Sequence, residues 1–108
     1  MEQRSRLLDY KQDISRGCVF RCKAKYPYEE VVDFMVAESF DNGELRYVLY
    51  VISGYKAGSL LVRLPKDALS TNFGLNWKWV VENWNDWIYL DCGVEDVWVV
   101  EKSVPTLD

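Results

Sequence analysis

The chain has 108 residues, the size of one folded domain, which argues against a second domain. Hydrophobic residues make up 49% of it and aromatic residues 15%, enough to form a core and to exclude a disordered chain. Thirteen basic and 17 acidic residues give a net charge of -4, and histidine is absent. This composition excludes enzymes that depend on an imidazole base and argues against a nucleic-acid binder, which needs a basic surface.

The first part of the chain combines a polar beginning with a regular strand pattern. Residues 1–16 carry little apolar patterning, so we expect an N-terminal arm or a short helix. Apolar residues then alternate with other residues over 18–26, which predicts a strand with one solvent-exposed face. That face carries the basic residues Arg21, Lys23 and Lys25.

Four more strands are predicted further along the chain. Residues 31–40 and 45–53 flank the sequence Asp-Asn-Gly at 41–43, which is typical of a tight hairpin turn. The second of these strands is apolar on both faces, so we place it in the interior of the sheet. A fourth strand is expected over 59–64 and the last over 94–100.

One long helix is predicted over residues 76–88, with Asn76 as its N-cap. At 100° per residue its apolar residues fall in an arc of about 120°, the width of a helix face that packs on a sheet. This arc contains Val80, Val81, Trp84, Trp87 and Ile88. Trp79 falls on the opposite, acidic side. It is either covered by a loop or the N-terminal arm, or it is an exposed anchor for a partner.

These elements together predict an α+β fold, with a mainly antiparallel sheet of about five strands and one principal helix packed on one face. We expect a single domain over residues 17–101, preceded by the arm over 1–16 and followed by a tail over 102–108.

The sequence offers little reactive chemistry. Three cysteines without a Cys-x-x-Cys spacing predict free buried thiols in a reducing compartment, with neither a disulfide framework nor a zinc site. No nucleophile motif, phosphate-binding loop or convergent pair of carboxylates is visible. We therefore predict no catalytic, cofactor-binding or metal-binding residues and no enzyme activity. No apolar stretch is long enough for a signal peptide or a membrane span, which favours a cytoplasmic protein without a membrane partner.

Negative charge is concentrated at the end of the chain, where residues 82–108 contain seven acidic residues and one lysine. This segment is either a solvated face or a docking surface for a basic protein. The candidate partner-binding residues are Trp79, Glu82, Asp86, Asp91, Glu95 and Asp96.

Four sequence segments resemble those of the immunity protein 45 family: YPYEEVVDFM at 26–35, SGYKAG at 53–58, VRLP at 62–65 and ENWNDW at 82–87. The likeness covers roughly residues 17–101. It implies an α+β fold and the neutralisation of one toxin by direct binding, in a bacterial polymorphic or contact-dependent inhibition system whose toxin gene lies beside the immunity gene. Because many antibacterial toxins are cationic nucleases, an acidic chain fits a basic toxin domain.

A second interpretation is a small nucleic-acid or ligand-binding module. It would use the strand face of Arg21, Lys23 and Lys25 together with exposed tyrosines, since basic residues among aromatic ones support phosphate contact and base stacking. The negative net charge opposes this interpretation, and we expect no nucleic-acid partner.

Overall fold

The computed structural model describes residues 4–101, so the tail predicted over 102–108 lies outside the described residues. The strands are β1 (Arg4–Arg6), β2 (Val19–Lys23), β3 (Val31–Asp41), β4 (Glu44–Val51), β5 (Leu60–Arg63) and β6 (Trp98–Val100). The helices are α1 (Leu7–Tyr10) and α2 (Trp77–Asn83), and α2 continues directly into a π-helical turn, Trp84–Ile88. Short 3-10 turns occur at Gly54–Lys56, Lys66–Ala68 and Val94–Asp96.

All neighbouring strands of the single sheet are antiparallel, in the order β1-β6-β2-β3-β4-β5. The predicted α+β class and the antiparallel sheet are confirmed. The sheet of the described residues has six strands where about five were expected, because β1 pairs with β6. Three exposed residues are too few to show an alternating pattern, so no local pattern indicates this strand.

The hairpin between β3 and β4 forms as predicted. Asn42 and Gly43 both have positive φ, 50° and 81°, as a type I′ hairpin turn requires. Strand β4 lies between β3 and β5, and residues on both of its faces are buried: Leu49 faces the core, and Val48 is buried on the opposite face. The interior position predicted for this strand is therefore confirmed.

The core lies between one face of the sheet and the helices. Phe20, Phe34 and Leu49 from three adjacent strands pack with Val80 of α2 and Trp84 of the π-helical turn, and all five side chains are buried. We call the other side of the sheet the open sheet face. The strand register places Val19, Arg21, Met35, Tyr50, Trp98 and Val100 on it.

The described residues before β2, from Arg4 onward, belong to this fold. Leu7 of α1 is buried in the core, and Ile14 exchanges two backbone hydrogen bonds with Leu75, at 3.0 and 2.8 Å. Of the two expectations for this segment, an arm or a short helix, the structure contains the short helix.

Asn76 caps α2 as predicted, since its side-chain oxygen accepts a hydrogen bond from the Trp79 backbone N–H at 3.0 Å. We expect Asn76→Ala to lower the free energy of unfolding by about 1 kcal/mol, because this N–H at the helix start loses its acceptor. Asn76→Asp keeps an acceptor oxygen and should retain most of the stability. Urea denaturation of both variants tests the cap, and equal losses in the two would contradict it.

Candidate partner-binding surface

Helix α2 and the π-helical turn that continues it are fixed to the domain through two tryptophans. The indole N–H of Trp77 donates a hydrogen bond to the Leu7 carbonyl at 2.6 Å, and that of Trp84 donates to the Cys92 carbonyl at 3.0 Å. The Trp84 ring also meets Phe20 edge to face, with centroids 5.4 Å apart. Since these bonds join the helix to segments before and after it in the chain, its outer side is a rigid surface.

Two further tryptophans meet on that outer side. The rings of Trp79 and Trp87 lie 5.9 Å apart, and Trp79 also packs against the core. Trp87 is 42% exposed, so its predicted place in the core is wrong. The reason is the π-helical turn, in which the Tyr89 N–H donates to the Trp84 carbonyl five residues earlier. A π-helical turn holds more residues than an α-helical one, so the 100° spacing no longer applies beyond Asn83.

Two exposed carboxylates, Glu82 of α2 and Asp86 of the π-helical turn, lie on the same helical segment as this tryptophan pair. We call Trp79, Glu82, Asp86 and Trp87 the acidic helix surface. Lys78 approaches Glu82 to 3.9 Å, but an exposed pair at this distance contributes little and leaves the carboxylate available. The surface thus combines negative charge with a supported aromatic side chain.

The remaining predicted residues lie in the segment that follows. Asp91 is exposed after the π-helical turn, and Glu95 and Asp96 belong to the 3-10 turn Val94–Asp96. The strand predicted over 94–100 begins only at Trp98, so Glu95 and Asp96 are not strand residues. Asp96 lines a cleft with basic residues of β1 and β2. The structure therefore places this carboxylate in basic surroundings, unlike those of the acidic helix surface.

Several exposed apolar residues lie in loops where the sequence pattern did not predict them. Leu90 is 72% exposed beside Asp91, and Phe73 is 84% exposed in the loop before α2. Tyr26 and Tyr55 are also exposed, and the Tyr55 hydroxyl donates a hydrogen bond to the Pro27 carbonyl, which joins two of the family-like segments. The alternation over 18–26 counted Tyr26 as an apolar strand residue, which is wrong because β2 ends at Lys23 and Tyr26 is 90% exposed. The other three residues are isolated in polar segments that have no periodicity.

The basic strand face of the alternative interpretation is partly neutralised. The Arg21 guanidinium donates two hydrogen bonds to the Asp33 carboxylate, at 2.9 and 3.0 Å. Lys25 lies beyond the end of β2, where its backbone N–H donates to the Tyr89 hydroxyl. Lys23 remains on the strand, so the three side chains do not form one uniform row of free positive charge.

Two of the buried thiols, those of Cys22 and Cys92, are poor nucleophiles. Burial, with a smaller effect of the neighbouring Cys92, raises the pKa of the Cys22 thiol, and burial likewise raises the pKa of Cys92. Both groups are therefore protonated at neutral pH, the less reactive form. Within residues 4–101 no three His, Cys, Asp or Glu side chains are placed to hold a metal ion.

The sequence of the chain matches the family model described as Immunity protein 45 over residues 7–99. The chain belongs to the Immunity protein 45 family. The match begins at residue 7, where the buried Leu7 enters the core, ahead of the start at 17 expected from the segment likeness. Membership supports an immunity role, with a toxin as the general kind of partner.

No curated protein and no solved structure is significantly similar to the immunity protein. Among residues 4–101 no helix has both the length and the apolar character needed to cross a bilayer.

Proposed function

We propose that this immunity protein neutralises a basic toxin domain, a nuclease, by direct contact through the acidic helix surface. The toxin would be encoded beside it in a bacterial polymorphic or contact-dependent inhibition system, and the two proteins would meet in the cytoplasm. The observation that carries the proposal is the exposed Trp87 ring, supported from behind by Trp79 and accompanied by Glu82 and Asp86.

The tryptophan pair has the properties of an interface anchor. Tryptophan is enriched among the residues that contribute most to binding energy, especially in well-packed surroundings. Trp79 packs against the core while touching Trp87, so the exposed ring needs little ordering when a partner covers it. Leu90, exposed shortly after the π-helical turn, supplies further apolar contact area.

The carboxylates provide charge complementarity. A basic toxin groove attracts Glu82, Asp86 and Asp91, and this attraction speeds association by about 10-fold to 10³-fold at low salt. Association of this kind weakens as salt screens the charges over roughly 10 Å at 0.1 M. We therefore expect the affinity of the complex to fall with ionic strength.

The charge-reversal variant Glu82→Lys/Asp86→Lys tests the surface. We expect its affinity for the toxin domain to fall at least about 10-fold at low salt, with a flatter salt dependence, because attraction becomes repulsion. The adjoining gene product, purified as an inactive nuclease domain, serves as the partner in a titration at several salt concentrations.

A matched control is the variant Asp41→Lys/Asp67→Lys, which makes the same change in net charge at two exposed positions elsewhere, the last residue of β3 and the 3-10 turn Lys66–Ala68. Its affinity should change far less. Equal losses in the two variants would show a general charge effect, and an unchanged affinity and salt dependence in Glu82→Lys/Asp86→Lys would show that the toxin binds elsewhere. Nuclease activity of the toxin, measured with and without the immunity protein, tests the toxin chemistry separately.

A further inference from the structure

A cleft of ≈ 300 Å³ opens beside the β1 edge of the open sheet face. It is lined by residues of β1, β2, β6 and the 3-10 turn before β6: Arg4, Arg6, Arg21, Lys23, Asp96 and Trp98. Its wall is partly apolar, because Val31 of β3 also lines it next to Lys23.

Two arginines are held in place over one aromatic ring. The guanidinium carbons of Arg4 and Arg6 lie 5.3 and 4.7 Å from the centroid of Trp98, within the range of cation-π attraction. Arg6 also donates a hydrogen bond to the Glu95 carbonyl at 3.0 Å. These contacts reduce the conformational freedom of both side chains before any ligand arrives, and the guanidinium charge persists at every physiological pH.

The cleft carries an excess of positive charge. Apart from the Arg21–Asp33 ion pair, the lining has three cations, Arg4, Arg6 and Lys23, against the single carboxylate of Asp96. Arginine binds carboxylates through two parallel hydrogen bonds, so two oriented guanidinium groups form a suitable site for an anion.

The surroundings favour a protein carboxylate over a nucleic acid. Stacking of a base needs a free aromatic face, but the arginines lie over Trp98, the tryptophan of this cleft. The net charge of -4 repels a long polyanion, whereas a cleft of ≈ 300 Å³ has room for one or two acidic side chains. We propose that this cleft binds Asp or Glu side chains of a protein partner.

Exposed apolar residues extend the cleft into a larger docking surface. On the open sheet face Val31, Ile52 and Leu60 are each between 41% and 51% exposed. Val31 lines the cleft. The Ile52 backbone N–H donates a hydrogen bond to the carbonyl of Asp33, which lies two residues after Val31 in β3. The apolar area therefore begins at the cleft. A partner segment that combines carboxylates with apolar side chains fits this surface. We identify that partner as the toxin, and this identification rests on the proposed function. The complex would then have two contacts, one through the acidic helix surface and one through the positively charged cleft.

The test uses defined probes instead of the toxin. Capped hexaglutamate, capped hexaglutamine and a six-nucleotide oligothymidylate are titrated into the protein at low salt while NMR follows the Trp98 indole and the arginine Nε–H signals. We expect hexaglutamate to shift these signals and to bind more tightly than either other probe. We expect Arg4→Gln/Arg6→Gln to weaken its binding at least about 10-fold, since two charge-assisted hydrogen-bond donors are lost.

The control variant, Arg63→Gln/Lys66→Gln, removes the same charge at and just beyond the opposite edge strand, β5, and should change the affinity less than about 2-fold. If substitution in β1 unfolds the chain, Asp96→Asn provides an independent test, because removing the one carboxylate of the cleft should tighten hexaglutamate binding. Equal effects of both double variants, tighter binding of the oligonucleotide, or no gain in Asp96→Asn would overturn the proposal. Since no toxin is present, these results are independent of whether the acidic helix surface binds one.

Discussion

The variant Trp84→Ala is expected to lose about 3–5 kcal/mol of its free energy of unfolding, the cost typical of truncating a large buried aromatic side chain. Trp84 is 1% exposed, packs edge to face on Phe20 and donates its indole N–H to the Cys92 carbonyl. Because domains of this size are stable by only about 5–15 kcal/mol, much of the total would be lost. Chemical denaturation monitored by circular dichroism measures the change.

Two companion variants separate the contributions. Trp87→Ala removes a ring that is 42% exposed and should cost far less than Trp84→Ala. Trp84→Phe keeps an aromatic ring against Phe20 but deprives the Cys92 carbonyl of its donor, so an intermediate loss of about 1–3 kcal/mol is expected. Similar losses for the alanine variants of Trp84 and Trp87 would contradict the inward and outward positions assigned to them.

Among substitutions of small residues, Gly74→Ala is expected to lower the free energy of unfolding most. Gly74 has a φ of 103°, and a Cβ atom there would lie 2.6 Å from the Ile14 carbonyl oxygen, which accepts a backbone hydrogen bond from Leu75. The unfavourable φ alone costs about 1–3 kcal/mol. The clash adds to this cost, because the backbone of residue 14 must move to relieve it. Thermal and urea unfolding measure the loss.

The cost of a positive φ for a non-glycine residue is measured separately at Gly58, which has a similar φ of 94°. Within residues 4–101, no atom beyond Gly58 and its two chain neighbours lies within 4 Å of the position that a Cβ atom would take there. The variant Gly58→Ala should therefore show the φ cost without the clash. If the two alanine variants lost the same stability, the close approach of residues 14 and 74 would have no energetic importance.

The stability variants also show which residues can be substituted with little loss in the free energy of unfolding. Trp87, Glu82 and Asp86 are exposed, so substitutions there should alter binding while the fold persists. Trp84 belongs to the same family-like segment, ENWNDW, but is buried. Within one short motif the structure thus separates a residue that holds the domain from residues that are free to contact a partner.

The sequence by itself determined those elements whose pattern is local. Strands β2 to β5, the turn at Asn42 and Gly43, and the Asn76 cap were all predicted, because alternation, turn residues and capping residues depend on neighbours a few positions away. The segment likeness similarly predicted the immunity protein 45 family, which the match over residues 7–99 confirms.

Only the tertiary structure decided how distant segments combine. Strand β1 exists through its pairing with β6 at the other end of the chain, and this pairing brings Arg6 to Trp98. The π-helical turn moved Trp87 outward, and the 3-10 turn placed Asp96 in the basic cleft. A local pattern records which face of an element is buried, whereas long-range pairing and a change of helical pitch depend on contacts made only after the chain has folded.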